Sequence, residues 1–402
     1  MSDLSSARLQ TKADSMNSPT LPVSKLPDVG TTIFSVMSAL ASHHQALNLS
    51  QGFPDFDPPE ALVDLVHGYM ISGNNQYPLM IGVPSLLAAI GGKVQKDYLC
   101  SVQPEEEVTI TAGATEALFC AIAAVVGAGD EVIVFDPAYD SYDPVIRLQG
   151  GRAIHLELTL PNYQIDWDQV RDALSPRTRM LIINSPHNPS GAILGEEDIR
   201  ALREIVASHD LYVLSDEVYE HMVFDGKAHL SLCRYEDLYA RSFVISSFGK
   251  TYHATGWKVG YCLAPPGLTT EFRRIHQYLT FTVNTPVQLA LADFLNEHAE
   301  HHEQLGAFYQ RKRDLFCARL SASRFSVQPS PGTYFQLLDY SAISNERDTV
   351  LARRWTQEKG IATIPISVFY GRSEQCTQRV LRLCFAKDDQ TLEQAADILC
   401  QI

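Results

Sequence analysis

From about residue 107 the chain alternates short aliphatic runs with longer stretches of helical period. Val108–Thr111, Glu131–Phe135, Ala153–Leu158, Met180–Asn184, Leu211–Ser215 and Phe243–Ser246 predict strands. Most are nearly continuous Val, Ile and Leu, the pattern of strands covered on both faces. Between them Thr115–Val126 and Glu196–His209 predict helices. That alternation predicts an α/β fold with a mostly parallel sheet. Pro265-Pro266-Gly267 closes the block, and helical stretches follow over 268–279 and 286–321. After Pro329-Ser-Pro-Gly332 the pattern changes to strands at Thr333–Leu338 and Arg379–Phe385, with helices near 348–359 and from Gln390. This predicts a smaller α+β unit. Leu26–Asn48, a helix entered through Gly30-Thr-Thr and carrying Phe34, Met37 and Leu40, is expected to join it. The expected division is a flexible tail over 1–25, a segment over 26–55 joining the small domain, a large domain over 56–295 and a small domain over 296–402.

Composition narrows the function classes. The chain has 402 residues, with 47 Asp+Glu against 32 Lys+Arg and a formal charge of −15. No block of like charge interrupts it, which argues against partners such as nucleic acid or an anionic membrane surface. Its longest clear apolar run, Leu118–Val126, falls well short of the ~20 residues of a membrane span. The 8 cysteines form no C-x-x-C pair, which fits a reducing compartment and neither a disulfide framework nor a zinc site. The N-terminal twenty or so residues are polar and lack the apolar core of a secretory signal, so a cytoplasmic location is expected. His298 and His302 have i, i+4 spacing in a polar stretch and read as a solvated helix face, with no metal.

In a doubly wound sheet ligands bind beyond the carboxyl ends of the strands. After Val108–Thr111, the small residues Ala112-Gly-Ala-Thr-Glu-Ala117 lead into a helix. Free N–H groups there make an anion seat, although a plain turn reads alike. After Met180–Asn184, Ser185-Pro-His-Asn-Pro-Ser-Gly191 forms a fixed loop presenting Asn188. After Leu211–Leu214, Asp216 stands at a buried strand end, where a carboxylate needs a cation or serves as a helix cap. Phe248-Gly-Lys250 and Gly256-Trp-Lys-Val-Gly260 follow the last strand. A lysine held in apolar surroundings titrates down and attacks carbonyls, whereas an ordinary lysine is solvated. Arg382 shares a strand face with Val380 and Cys384, and needs either a ligand carboxylate or a structural acid.

Taken together, Ala112–Ala117, Asn188-Pro189, Asp216-Glu-Val-Tyr219, Ser247-Phe-Gly-Lys250 and Gly256–Gly260 resemble the class I/II pyridoxal-phosphate aminotransferases of fold type I. The likeness runs from Leu26 to the C-terminus. Leu49-Ser-Gln-Gly-Phe-Pro-Asp55, Pro365-Ile-Ser-Val-Phe369 and Leu381–Lys387 are most similar to the bacterial methionine aminotransferase and kynurenine/glutamine aminotransferase group. The resemblance implies pyridoxal 5'-phosphate as cofactor, amino acids and 2-oxo acids as substrates, a ping-pong mechanism and a homodimer. It makes Lys250 the catalytic lysine that carries the cofactor. Asp216 would pair with the pyridinium nitrogen, Tyr219 and Asn188 with the phenolic oxygen, and Tyr139 would stack on the ring. Ala114, Thr115, Ser247, Lys258 and a partner's Tyr77 would hold the phosphate. Arg382, Asn188 and the backbone at Gly52 would hold the substrate carboxylate. Lys258 departs from the arginine of many relatives, and supplies charge without a planar fork.

Phe34 and Phe281 fall where the kynurenine aminotransferase group touches the substrate side chain, and Phe369, Tyr77 and Tyr139 are further pocket candidates. Aromatic lining favours methionine and aromatic or other neutral amino acids over acidic ones. Two other activities fit the same residues: a C–S β-lyase acting on cysteine conjugates, and a non-catalytic aminotransferase-like sensor domain. The sensor reading expects a basic DNA-binding domain ahead of the unit, where only some 25 mostly polar residues stand.

Overall fold

The structure, a computed structural model, describes residues 22–402; of the expected tail, residues 1–21 lie outside the described residues. The short strand β1 (Leu47–Asn48) follows a helix over Ile33–His44. Seven strands then build the main sheet: β2 (Val108–Thr111), β3 (Glu131–Asp136), β4 (Arg152–Glu157), β5 (Thr178–Asn184), β6 (Tyr212–Asp216), β7 (Ser242–Ser247) and β8 (Gly260–Leu263). Their order is β2-β8-β7-β6-β5-β3-β4. Neighbours pair in parallel except for β8, which runs antiparallel to both β2 and β7. The six expected strands are all present, within a residue or two at each end. Gly260–Leu263 was not among them, because a four-residue run beside a Gly-Trp-Lys-Val motif carries no alternation to mark it.

Burial follows the pattern. Val108, Ile133, Leu181, Val213 and Val244 lie in a core between the sheet and helices on one face, and Val132, Met180, Leu214 and Phe243 in another on the opposite face. Within the main sheet the edge strand β4 is largely half-exposed.

The expected helix over 286–321 is corrected to three pieces: Thr285–Glu297, Ala299–Glu303 and Leu305–Leu320. His298 leaves helical geometry at φ −129° and ψ 45°. The first piece packs Val287, Leu291 and Phe294 into the core beside the main sheet. The last packs Leu305, Tyr309, Phe316 and Leu320 into a separate core. One straight helix could not serve both.

That separate core surrounds β9 (Phe335–Asp339), β10 (Ile361–Ala362), β11 (Ile364–Pro365) and β12 (Val380–Cys384). The antiparallel order is β11-β12-β9, while β10 pairs in parallel with β1. Met37 and Leu49 are buried here, so the N-terminal segment folds with the C-terminal elements. No helix among the described residues is long and apolar enough to cross a membrane.

Candidate active site

Parallel strands deliver their carboxyl ends to one edge of the sheet, and there a pocket of about 220 Å³ opens against the second core. Its wall includes Gly52, Ala114, Thr115, Tyr139, Asn188, Asp216, Tyr219, Ser247, Lys250, Lys258, Arg382 and Phe34. These expected residues come from eight separate stretches of the sequence. Tyr77 and Phe281 do not join them in this chain. Their rings pack edge to face, 5.7 Å apart, on the surface, where Tyr77 is 81% exposed. Phe281 thus does not line the pocket of its own chain, and it packs on Tyr77, the residue expected to act in a partner's. Phe281 sits at φ 71°, which turns the chain outward after the helix Pro266–Leu279. Phe369 packs behind Phe34, with ring centroids 5.9 Å apart and the rings tilted by 57°.

Lys250 lies in the short helical turn Phe248–Thr251 directly after β7. Its Nζ donates to the Tyr334 hydroxyl at 2.9 Å and to the Gly52 carbonyl at 3.1 Å. Burial, aided by the Arg382 and Lys258 charges, pulls Lys250 down to about 8. At pH 7 about a tenth of the amine is neutral, far more than for an ordinary lysine near 10.4, and the neutral share grows through pH 8. Asp216 ends β6, and burial pushes its carboxyl up to about 6, against a hydrogen bond from Tyr142 at 2.7 Å. At pH 7 it is mainly ionised, and a buried carboxylate without a paired cation suits a cationic ligand atom.

Arg382, on β12, is almost fully buried. Its Nη1 donates to Asn188 Oδ1 at 2.8 Å and its Nη2 to the Ser50 carbonyl at 2.9 Å, while Nε has no partner. Burial lowers its pKa to about 10, so it stays a cation, packed 4.0 Å from the Phe335 ring centre. A buried guanidinium with an uncommitted donor fits a carboxylate ligand. Asn188 is held in turn by Asn184, whose Oδ1 accepts the Asn188 backbone N–H at 2.7 Å. Because Asn188 Oδ1 faces Arg382, its Nδ2 is left as a donor.

An anion cradle completes the pocket. The helix Gly113–Val125 begins at Gly113 (φ 74°) with no side-chain cap. Glu116, in its first turn, is turned away, engaged with the Ala112 N–H and His276. A Cβ on Gly113 would lie 3.3 Å from Lys258 Nζ, and one on Gly260 would lie 2.9 Å from the Ala114 nitrogen. Both glycines therefore keep the helix start open beside a lysine, which fits a phosphate.

Sequence reasoning missed Tyr142, Asn184, Thr255, Tyr334 and Phe335, all at the pocket or bonded to its members. Tyr142 had a usable signal, since it stands one helical turn beyond Tyr139.

Comparison with known proteins follows the same lines. Residues 44–399 match the family model for aminotransferase class I and II. The methionine aminotransferase of Escherichia coli K12 is 49% identical over 386 residues, covering 96% of this chain and all of its own. A solved Escherichia coli methionine aminotransferase structure superposes with a TM-score of 0.93 over the same shares of each chain. The N-succinyldiaminopimelate aminotransferase structure from Mycobacterium tuberculosis is 36% identical, with a TM-score of 0.91 over 95% of this chain and 100% of that one. Human kynurenine–oxoglutarate transaminase 1 is 32% identical over 88% of this chain and 92% of its own. The pocket at the sheet's carboxyl edge thus sits in a chain that belongs to the class I and II aminotransferases.

Proposed function

We propose that this aminotransferase moves the amino group of methionine and other large neutral amino acids to a 2-oxo acid, with pyridoxal 5'-phosphate carried on Lys250. The supporting observation is the convergence of Lys250, Asp216 and the Asn188–Arg382 pair on one small pocket. When bound, the cofactor supplies an electron sink for charge developing at the substrate Cα.

The chain's own groups do the rest. Asp216, kept ionised and fixed by Tyr142, holds a proton on the ring nitrogen. Tyr219 and the Asn188 amide are assigned to the phenolic oxygen, and Tyr139 to the ring face. Ala114, Thr115, Ser247 and Lys258 are assigned to the phosphate. Arg382 orients the substrate carboxylate beside Gly52. Lys250, once displaced from the cofactor by the substrate amine and held low in pKa, would take the proton from the substrate Cα and return it to the carbon on the far side of the amino nitrogen.

Side-chain preference rests on charge. Among the described residues of this chain, the cations lining the pocket are Lys250, Lys258 and Arg382, each already assigned, so none of them is spare for a distal carboxylate. Phe34, Phe335 and Phe369 surround the guanidinium with apolar surface instead. A donor panel of methionine, phenylalanine, glutamine and aspartate tests this, and an aspartate preference would refute it. Release of pyruvate and ammonia from a cysteine conjugate, in place of transfer, would move the reading to a C–S β-lyase.

The division at 56–295 and 296–402 is part of the proposal, supported by the separate cores. So is a homodimer. Tyr77, Leu79, Tyr278, Leu279 and Phe281 are exposed apolar groups from neighbouring stretches of surface, and a second copy would cover them. A monomer by light scattering would remove the dimer and with it the role of Tyr77.

A further inference from the structure

Away from the reacting groups, one node ties the main sheet to the loop that packs behind the Phe34 and Arg382 wall of the pocket. Asp136 ends β3 and is 3% exposed, with both carboxylate oxygens engaged. Oδ1 accepts from His155 Nδ1 at 2.8 Å, and Oδ2 accepts the Gly371 N–H at 2.8 Å. Two residues on, the Ala138 N–H donates to the Phe369 carbonyl at 2.6 Å. Residues 136–138 therefore grip residues 369–371, which belong to the other core. Phe369 is buried, with its ring 5.2 Å from the Arg382 guanidinium carbon. The next residue after the grip, Tyr139, is itself a wall of the pocket.

Two features mark the node as built for contact. A Cβ on Gly371 would fall 2.7 Å from His155 Nδ1, so only glycine lets the imidazole close on Asp136. His155 also faces Asp143, with Nε2 3.8 Å from Oδ1. Asp143 accepts from Arg147, which reaches Asp28 in the segment leading to the Phe34 helix. The same network thus joins the Phe369 loop to the segment that enters the Phe34 helix, and both phenylalanines pack on Arg382 alongside Phe335. Burial alone would lower His155, but the Asp136 and Asp143 carboxylates outweigh it and push it up to about 9. The imidazole is a cation under ordinary conditions, donating from Nδ1 to Asp136 while its Nε2 side faces the Asp143 charge.

We propose that His155 is a positioning residue, which with Asp136 and Gly371 latches the Phe369 loop to the strand end carrying Tyr139 and so sets the side-chain wall of the substrate pocket. The proposal deepens the methionine reading above and rests on it. An amino acid whose side chain reaches that wall depends on the latch; alanine, with a single methyl, does not.

The test compares kcat/KM for methionine and alanine in the cofactor-loaded enzyme. His155→Ala and Gly371→Ala are each expected to lower the methionine-to-alanine ratio about tenfold through the methionine KM. Alanine turnover and cofactor content should stay near native. His155→Asn, which restores a donor near the Nδ1 position, should recover most of the ratio. His155→Gln, similar in volume, should show the same fall where the alanine variant does not fold. An unchanged ratio, or equal losses for methionine and alanine, would overturn the latch. If the native enzyme does not use methionine, the substrate reading fails instead, and the phenylalanine-to-alanine ratio decides the latch.

Discussion

Replacing Arg382 by lysine keeps the charge and removes the geometry. Arginine offers five N–H donors, of which one serves Asn188 at 2.8 Å and one Ser50 at 2.9 Å. A lysine ammonium has one nitrogen and cannot serve these two acceptors and a two-oxygen carboxylate together. Losing one charge-assisted bond to the substrate costs about 1.5–3 kcal/mol, and leaving the Asn188 oxygen unpaired in a buried site costs about 1–3 kcal/mol. The sum, about 2.5–6 kcal/mol, corresponds to a fall of roughly 10² to 10⁴ in kcat/KM. Most of it should appear in KM, because the carboxylate is equally charged in ground and transition states. The assay is steady-state transamination of methionine by native and Arg382→Lys enzyme of equal cofactor content, with methionine amide as comparator. The amide lacks the carboxylate and should discriminate little between the two enzymes. A variant within about threefold of native on methionine, or an equal loss on the amide, would refute the assignment.

Other consequences can be checked directly. Tyr142→Phe removes a hydrogen bond to the Asp216 carboxylate, so cofactor affinity measured by fluorescence titration should weaken about tenfold or more. Lys250 is held down to about 8, and only its neutral form attacks a carbonyl. The rate of cofactor uptake by the apoprotein should therefore rise with pH up to about 8 and level off above it, as stopped-flow absorbance would show. A Cβ at Gly260 would meet the Ser246 carbonyl at 2.7 Å and the Ala114 nitrogen at 2.9 Å. Gly260→Ala should lower the unfolding temperature and weaken cofactor and inorganic phosphate binding together.

What was legible in the sequence was local. The apolar runs that became β3 and β5–β7 carry their own periodicity, and the Gly, Pro and Asn residues after them mark loops without help from elsewhere. Asp216 and Lys250 were readable because each directly follows such a run. Contacts across the fold left no such mark. Tyr142 and Asp216 are 74 residues apart, Tyr334 and Lys250 84 apart, and Gly371 lies 235 residues from Asp136. The helix break at His298 was hidden for a related reason, since each side has helical period and only the destination of each half separates them. The place of Phe281 outside its own chain's pocket was not legible either, because an aromatic residue reads alike whether it lines a pocket or the surface.

The central claim is that Lys250, in this pocket, passes amino groups from a neutral amino acid to an oxo acid. The most direct measurement loads native and Lys250→Ala protein with pyridoxal phosphate, supplies methionine bearing an isotopically labelled amino nitrogen with a 2-oxo acid, and follows the label by mass spectrometry. The account predicts labelled product amino acid from the native protein and none from the variant. Transfer that survives in Lys250→Ala, or native protein that leaves the label on methionine and every other neutral donor, would contradict it.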